Sequence, residues 1–144
     1  MNNHKCSHTT DDKVIPADKS CAHTIKRDDR VSDANLFDVL DLAYEFDDAG
    51  PHAKCILDDS KTKIVEISFM PGQKLAPHKS PAHVVVSCVV GRLKFTLKGK
   101  DIWLEPGQLI YMKPDDIHSV KCPCGRCVAN PTNSILQLIL SKEG

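Results

Sequence analysis

Two stretches of the chain decide how the sequence is interpreted: PGQKLAPH at residues 71–78 and PGQLIYMKPDDIH at residues 106–118. Each begins with a Pro-Gly turn and ends on a histidine, His78 in the first and His118 in the second. Neighbouring Pro and Gly residues mark tight turns between short strands. Two histidines carried by separate strands of a small barrel can meet in its interior, where paired imidazoles hold a divalent metal or a polar ligand. We therefore expect His78 and His118 to share one site.

The segments around these histidines alternate between apolar and polar residues, the pattern of strands with one buried face. Gly, Pro and Asp residues divide them into short runs. Strands are predicted over residues 53–57, 62–69, 82–90, 93–97, 101–104, 109–112, 117–121 and 135–140. Seven or eight short strands at this spacing favour an all-β sandwich or barrel.

The N-terminal quarter of the chain follows a different pattern. Residues 1–32 are polar and show neither helical nor strand periodicity, so a flexible tail is expected there. Asp33 can cap a short amphipathic helix whose apolar residues are spaced three and four apart and which ends near Gly50. The rest of the chain, residues 33–144, is too short for two ordinary domains and is expected to form one.

The charge balance excludes some partners. Lys and Arg together number 19, as do Asp and Glu, so no net field favours nucleic acid or an anionic membrane. No run approaches the roughly 20 apolar residues of a membrane helix, and the first residues lack the apolar segment of a signal peptide. We therefore expect a cytoplasmic protein whose seven cysteines are reduced, each a free thiol or a metal ligand.

From residue 65 to residue 140 the chain resembles the cupin superfamily, whose members are small jelly-roll β-barrels. The positions that match the first cupin motif are Gly72, His78 and Gly91. Ser80 replaces the second histidine of that motif, and Val84 replaces its acidic residue. The segment HKSP that begins at His78 is similar to a subgroup of small single-domain cupins in which the first motif is reduced in the same way. The resemblance implies a cupin barrel, preceded by the short helix and the polar tail.

The second cupin motif is also only partly retained. Gly107 and His118 match it, whereas Lys113, Asp115 and Cys122 stand where the motif has proline, glycine and asparagine. The resemblance covers about half of the chain. It implies the fold more strongly than it implies a particular site.

The resemblance also implies what the site would contain. Cupins usually bind a metal through three histidines and one carboxylate, and only His78 and His118 remain of that set. Cys122, His83 or His52 could complete the shell of a divalent iron, manganese, nickel, copper or zinc ion. Such a metal with open positions would suit a small-molecule oxygenase or isomerase. The residues leave open whether the protein is an enzyme.

Strand alternation predicts which side chains share the pocket. If His78 points into the barrel, His83 points outward unless Pro81 introduces a bulge that shifts the register. The pocket would then be lined, besides the two histidines, by Ser80, Val86 and Cys88, with Tyr111 near its rim.

A cysteine-rich loop, CPCGRC, follows the second motif. Its thiols, Cys122, Cys124 and Cys127, could bind a soft metal or respond to oxidants, which would make the protein a metal or redox sensor on a cupin scaffold.

A further alternative is a non-catalytic module that binds or senses a small ligand through the two imidazoles. The strand at residues 82–90 is apolar on both faces and could be covered by the short helix or by a second subunit, so we expect a homodimer.

Overall fold

The computed structural model describes residues 37–39, 44–126 and 128–142, and these residues form nine strands and no helix. The strands are β1 (His52–Asp58), β2 (Thr62–Phe69), β3 (Lys74–His78), β4 (His83–Val90), β5 (Leu93–Leu97), β6 (Lys100–Leu104), β7 (Leu109–Met112), β8 (His118–Lys121) and β9 (Ser134–Ser141). The predicted all-β architecture is confirmed. No helix in the described ranges is both long and apolar enough to cross a membrane.

The strands form two antiparallel sheets. One has five strands in the order β1-β2-β9-β4-β7, and the other has four in the order β3-β8-β5-β6. Every pairing between neighbouring strands is antiparallel. Non-consecutive strands such as β2 and β9 lie side by side, so the chain crosses repeatedly between the sheets, as in a jelly roll.

The core lies between the sheets and is built from alternate residues of the strands. In β4, Val84, Val86 and Cys88 are buried, while the residues between them are only half-buried. Phe69 and Phe95 are fully buried from opposite sheets. Buried core side chains of this size each contribute about 1.5–3 kcal/mol through removal of apolar surface from water.

Eight of the nine strands coincide, within one or two residues, with those expected from periodicity. The exception is β3, which the pattern misses because it is only five residues long and contains Pro77. Proline lacks the amide hydrogen that a strand ladder requires, so a short run containing it does not look like a strand.

The expected N-terminal tail lies outside the described residues, as does most of the expected helix. Within residues 44–50 the chain forms a turn, closed by a bridge between Asp47 and Gly50. The Gln73 side chain donates a hydrogen bond to the Asp47 carbonyl at 2.5 Å, which attaches this turn to the segment between β2 and β3.

Candidate functional site

The two motif histidines face each other across neighbouring strands. His78 ends β3, His118 begins β8, and the two are direct register partners. Their ring centroids are 4.3 Å apart with the planes tilted by 59°. The structure therefore brings together the two residues that the sequence singles out.

A bulge in β3 turns His78 toward His118. Leu75 pairs with Val120 and His78 with His118, so three residues of β3 span the length of two in β8. The extra residue falls at Ala76-Pro77, where proline cannot donate to the ladder. Leu75 belongs to the core, and in a regular strand a residue three positions later would point to the opposite face. The bulge therefore places His78 on the side of the sheet that carries the core.

Backbone hydrogen bonds fix the same tautomer in both imidazoles. His78 Nδ1 lies 2.8 Å from the Ala76 carbonyl oxygen, and His118 Nδ1 lies 2.9 Å from that of Asp116. A carbonyl oxygen only accepts hydrogen bonds, so each Nδ1 carries the hydrogen and donates it. In the neutral rings, each Nε2 therefore has a free lone pair.

His118 is held in an apolar environment. It is 7% exposed, and its ring stacks on Phe95 with centroids 5.6 Å apart and planes 5° from parallel. Burial lowers the pKa of His118, and the nearby His78 lowers it further, against the opposing effect of the Asp116 carbonyl. His118 is therefore a neutral ring at pH 7. Sequence reasoning did not assign Phe95 to the site, although its position in an alternating strand beside β8 is a signal for it.

The loop before β8 positions His118. Lys98 Nζ lies 3.2 Å from Asp116 Oδ1, and Asp116 Oδ2 accepts a hydrogen bond from the Lys113 amide at 3.2 Å. The Lys98 hydrogen bond is the main reason why the pKa of Asp116 is lowered. Because Asp116 also supplies the carbonyl that binds His118, these contacts fix the orientation of the ring.

Ser80, which replaces the second motif histidine, supports the loops around the pair. Its hydroxyl accepts a hydrogen bond from the Ala82 amide at 3.1 Å, and its carbonyl accepts one from the Asp115 amide at 2.8 Å. The second contact joins the β3–β4 loop to the loop before β8. Ser80 thus holds these two loops together.

His83 and Tyr111 lie on the outer face of the five-stranded sheet. In β4, Val84 and Val86 point into the core and His83 to the opposite side, as strand alternation predicts. His83 Nδ1 and the Tyr111 hydroxyl are 2.6 Å apart and the rings are stacked. Tyr111, expected at the pocket rim, is 56% exposed on this outer face. Neither residue is part of the His78–His118 pair.

His52 does not complete the pair either. Its Nε2 lies 3.1 Å from Glu45 Oε1 at the start of β1, the edge strand of the five-stranded sheet. In the described part of the chain, no three or more His, Cys, Asp or Glu side chains are close enough together to hold a metal ion. Metals in proteins usually have three or more protein ligands, so the described residues supply an incomplete set.

Cys122 lies away from the two histidines. It follows β8 four residues after His118, a distance of roughly 13 Å along an extended strand. Its Sγ lies 3.5 Å from the Thr132 carbonyl oxygen and 3.6 Å from Ser134 Oγ. Burial raises the pKa of the Cys122 thiol to about 11, so it is protonated at pH 7. The expectation that Cys122 serves as third ligand beside the two histidines does not agree with this placement.

The other two expected pocket residues are core residues. Val86 is completely buried. The Cys88 thiol is directed to the end of β4, where its Sγ lies 3.3 Å from the Val90 carbonyl oxygen. Burial raises the pKa of Cys88 to about 11, and the neighbouring Cys122 adds to this effect.

The expectation that every thiol is free or metal-bound is wrong at two positions. Cys55 and Cys124 are disulfide-bonded, whereas Cys88 and Cys122 are free. An oxidised sulfur is not a thiolate ligand, so Cys124 does not provide one to the cysteine-rich loop. Cys127 lies outside the described residues.

Part of the chain matches a known protein family. Residues 67–123, which contain both motif histidines, match the family of AraC-like ligand binding domains. None of the curated proteins compared with this chain matches it.

Solved structures with the same fold come from several bacteria. A conserved protein of unknown function from Streptococcus pyogenes has a TM-score of 0.62 and 16% identity, covering 85% of this chain and 99% of its own. An RmlC-like cupin from Shewanella frigidimarina has a TM-score of 0.57 and 21% identity, covering 65% and 78%. A Cupin 2 conserved barrel domain protein from Leptotrichia buccalis has a TM-score of 0.58 and 24% identity, covering 76% and 47%. At these identities the similarity establishes the fold.

Proposed function

We propose that this cupin-type barrel binds a small molecule at the His78–His118 pair, as a non-catalytic ligand-binding or sensing module. The observation that carries the proposal is the shared tautomer of the two rings, since both Nδ1 atoms are bound to backbone carbonyls. The match of residues 67–123 to a family described as ligand-binding supports it.

The chemistry of the pair indicates the kind of ligand. The two neighbouring rings each offer an Nε2 lone pair as a hydrogen-bond acceptor, so the complementary molecule presents two donors, such as neighbouring hydroxyl groups or an amide N–H beside a hydroxyl. The Phe95 ring stacked on His118 gives this side of the pair an apolar surface, and a hydrogen bond in such surroundings is stronger than in water. A polyhydroxylated or amide-bearing small molecule fits this arrangement.

A divalent metal is the second candidate occupant, because a metal is also a partner for two imidazole lone pairs. His78 and His118 are the residues that would hold it. The described residues contain no third ligand near them, so this candidate needs ligands from a substrate or from water. We therefore rank it below direct binding of a small molecule, and we derive no reaction from it.

The test is a thermal-shift screen of sugars, sugar acids and hydroxy acids against untagged protein whose metal content has first been measured by mass spectrometry. We expect metal-free protein and at least one compound that raises the melting temperature. His78→Ala and His118→Ala should each abolish that rise, because each removes one Nε2 acceptor. His83→Ala is the matched control, since His83 lies on the outer face and should leave the rise unchanged.

The outcomes separate the candidates. Near-stoichiometric metal that is lost in both His78→Ala and His118→Ala would show that the pair holds a metal ion, and would contradict direct binding of a small molecule by the two imidazoles. A compound that stabilises the wild type and the two site variants equally would show that ligands bind elsewhere. Because burial lowers the pKa of His118 from its ordinary value of 6.5, the His118 acceptor should be lost only when the pH falls below 6.5.

A further inference from the structure

A row of three lysines crosses the outer face of the four-stranded sheet. Lys74 of β3 is the register partner of Lys121 of β8, and Lys121 is in turn the partner of Lys94 of β5. Each lysine has a core residue as its neighbour on the same strand: Leu75 beside Lys74, Phe95 beside Lys94 and Val120 beside Lys121. Strand alternation therefore directs all three lysines to the outer side of the sheet.

This arrangement concentrates positive charge in one place on a chain whose net charge is zero. The formal net charge of the protein is +0, yet three ammonium groups originate from directly opposed positions on neighbouring strands. Side chains at such positions start roughly 5 Å apart, and like charges placed opposite each other destabilise a sheet. A bound anion would remove this repulsion.

Among the described residues that line this surface, Asp101 is the one carboxylate. Asp101 lies 3.5 Å from Lys94 Nζ, and its other oxygen accepts a hydrogen bond from Thr96 Oγ1 at 2.7 Å. These contacts lower the pKa of Asp101, the Thr96 hydrogen bond most of all. Lys121, at the centre of the row, forms no ion pair with any described residue. Its ammonium group is therefore available to an external anion.

The lysines surround a groove that also offers hydroxyl groups. The groove has a volume of about 290 Å³, and its floor includes Thr96 and Ser119, which are register partners on β5 and β8. Small-ligand sites begin at about this size. The groove therefore combines charged donors with neutral ones in a space suited to one small ligand.

We propose that this groove, the lysine groove formed by Lys74, Lys94, Lys121, Thr96 and Ser119, binds the phosphate group of a small molecule. A phosphate carries close to two negative charges at pH 7 and three acceptor oxygens, which match several ammonium groups better than a single carboxylate does. The site is separate from the histidine pair, because it lies on the opposite face of the sheet that carries His118.

The test is a titration of ¹⁵N-labelled protein with inorganic phosphate at low ionic strength, followed by amide chemical shifts and repeated with sodium chloride at matched ionic strength. We expect saturable shifts at the amides of Ala76, Thr96 and Ser119 with phosphate and no saturation with chloride. Lys121→Gln should weaken phosphate binding about tenfold, the loss expected for one charge-assisted contact. Ribose 5-phosphate serves as the second ligand, since tighter binding than that of free phosphate identifies a phosphorylated molecule as the target.

Two control variants make the result decisive. Lys61→Gln removes the same charge from an exposed lysine in the turn between β1 and β2 of the other sheet, and it should leave phosphate affinity within about twofold of the wild type. His78→Ala should also leave it unchanged, which separates this site from the histidine pair. Absence of saturable shifts, or an equal loss of affinity in Lys121→Gln and Lys61→Gln, would overturn the proposal.

Discussion

At the level of single residues, Asp115 adopts a backbone conformation that favours the glycine found at this position of the cupin motif. It stands where the motif has glycine, and its backbone takes a positive φ of 68°. Asp is one of the few residues that adopt this left-handed conformation readily. Its amide also donates to the Ser80 carbonyl. Aspartate at this position is therefore compatible with the loop before His118, whereas serine at position 80 in place of histidine removes a potential metal ligand.

Glu66 is a buried residue that the histidine site does not use. It is 1% exposed, and neither carboxylate oxygen has a hydrogen-bond partner. Val65 and Ile67 on either side belong to the core, so Glu66 points to the outer face of the five-stranded sheet, between Lys54 and Gln137. Burial raises the pKa of Glu66 to about 7, although the charge of Lys54 opposes this effect.

We predict that Glu66 makes the folded protein less stable as the pH rises. The ordinary pKa of a glutamate is 4.5, so well below this pH the Glu66 carboxyl is protonated in the folded and the unfolded chain. The stability of the folded protein is then not reduced by ionisation of Glu66. Between pH 4.5 and about 7 the Glu66 carboxyl is ionised in the unfolded chain but still protonated in the folded protein. Ionisation therefore favours the unfolded chain, which lowers the free energy of unfolding by about 3 kcal/mol. Urea denaturation at pH 5 and pH 8 measures this loss. Glu66→Gln should remove most of the pH dependence, and a variant that keeps the full dependence would show that another group is responsible.

At the level of elements, a bulge and a turn control how the strands present their side chains. The bulge at Ala76-Pro77 brings His78 to the core side of β3. Gly91, in the turn between β4 and β5, has a φ of 85° and lies against the start of β9. The Ser134 hydroxyl accepts a hydrogen bond from the Arg92 amide and donates one to the Arg92 carbonyl, which joins β9 to this turn. This contact leaves no room for a side chain at residue 91.

We predict that Gly91→Ala destabilises the protein by about 2–4 kcal/mol, the sum of left-handed backbone strain and overpacking. A Cβ atom at this position would lie 2.6 Å from the Asn133 carbonyl oxygen. Gly99→Ala is the matched control, because Gly99 has a similar φ of 81° but no atom within 4 Å of the added Cβ. The Gly99→Ala substitution should lower the free energy of unfolding by only about 1–2 kcal/mol. Equal losses for the two variants in chemical denaturation would contradict the steric explanation.

At the level of the whole molecule, the outer face of the five-stranded sheet is exposed and apolar near its β7 edge. Leu109 and Tyr111 are 70% and 56% exposed, and they pair with Ser87 and Val85 of β4. Exposed apolar side chains on an edge strand are common at protein interfaces. This surface supports the homodimer expected from the apolar character of β4.

We predict that the protein is a dimer with twice the 15.9 kDa chain mass, as light scattering coupled to size-exclusion chromatography would measure. Leu109→Lys should shift the protein to a monomer, because it places a charge in the apolar contact. Ile117→Lys is the control: Ile117 is 55% exposed but lies in the loop before β8. A monomeric wild-type protein would contradict the prediction.

Periodicity determined most of the fold because it is a local property. Alternation with a period of two identified eight strands, and it predicted correctly that Val86 and His83 point to opposite faces of β4. The spacing of the Pro-Gly turns identified both motif histidines. These features depend on residues close together in the sequence, so no knowledge of the tertiary structure was needed.

The tertiary structure alone decided what surrounds these residues, since long-range pairing is not encoded in any local pattern. Pairing with β8 placed the bulge in β3 and thereby the orientation of His78. The pairing of Lys74, Lys121 and Lys94 created a cationic row from residues far apart in the chain. The outward position of Tyr111 likewise follows from the pairing of β7 with β4. The sequence by itself determined the barrel and its histidine pair, and the folded chain determined which side chains accompany them.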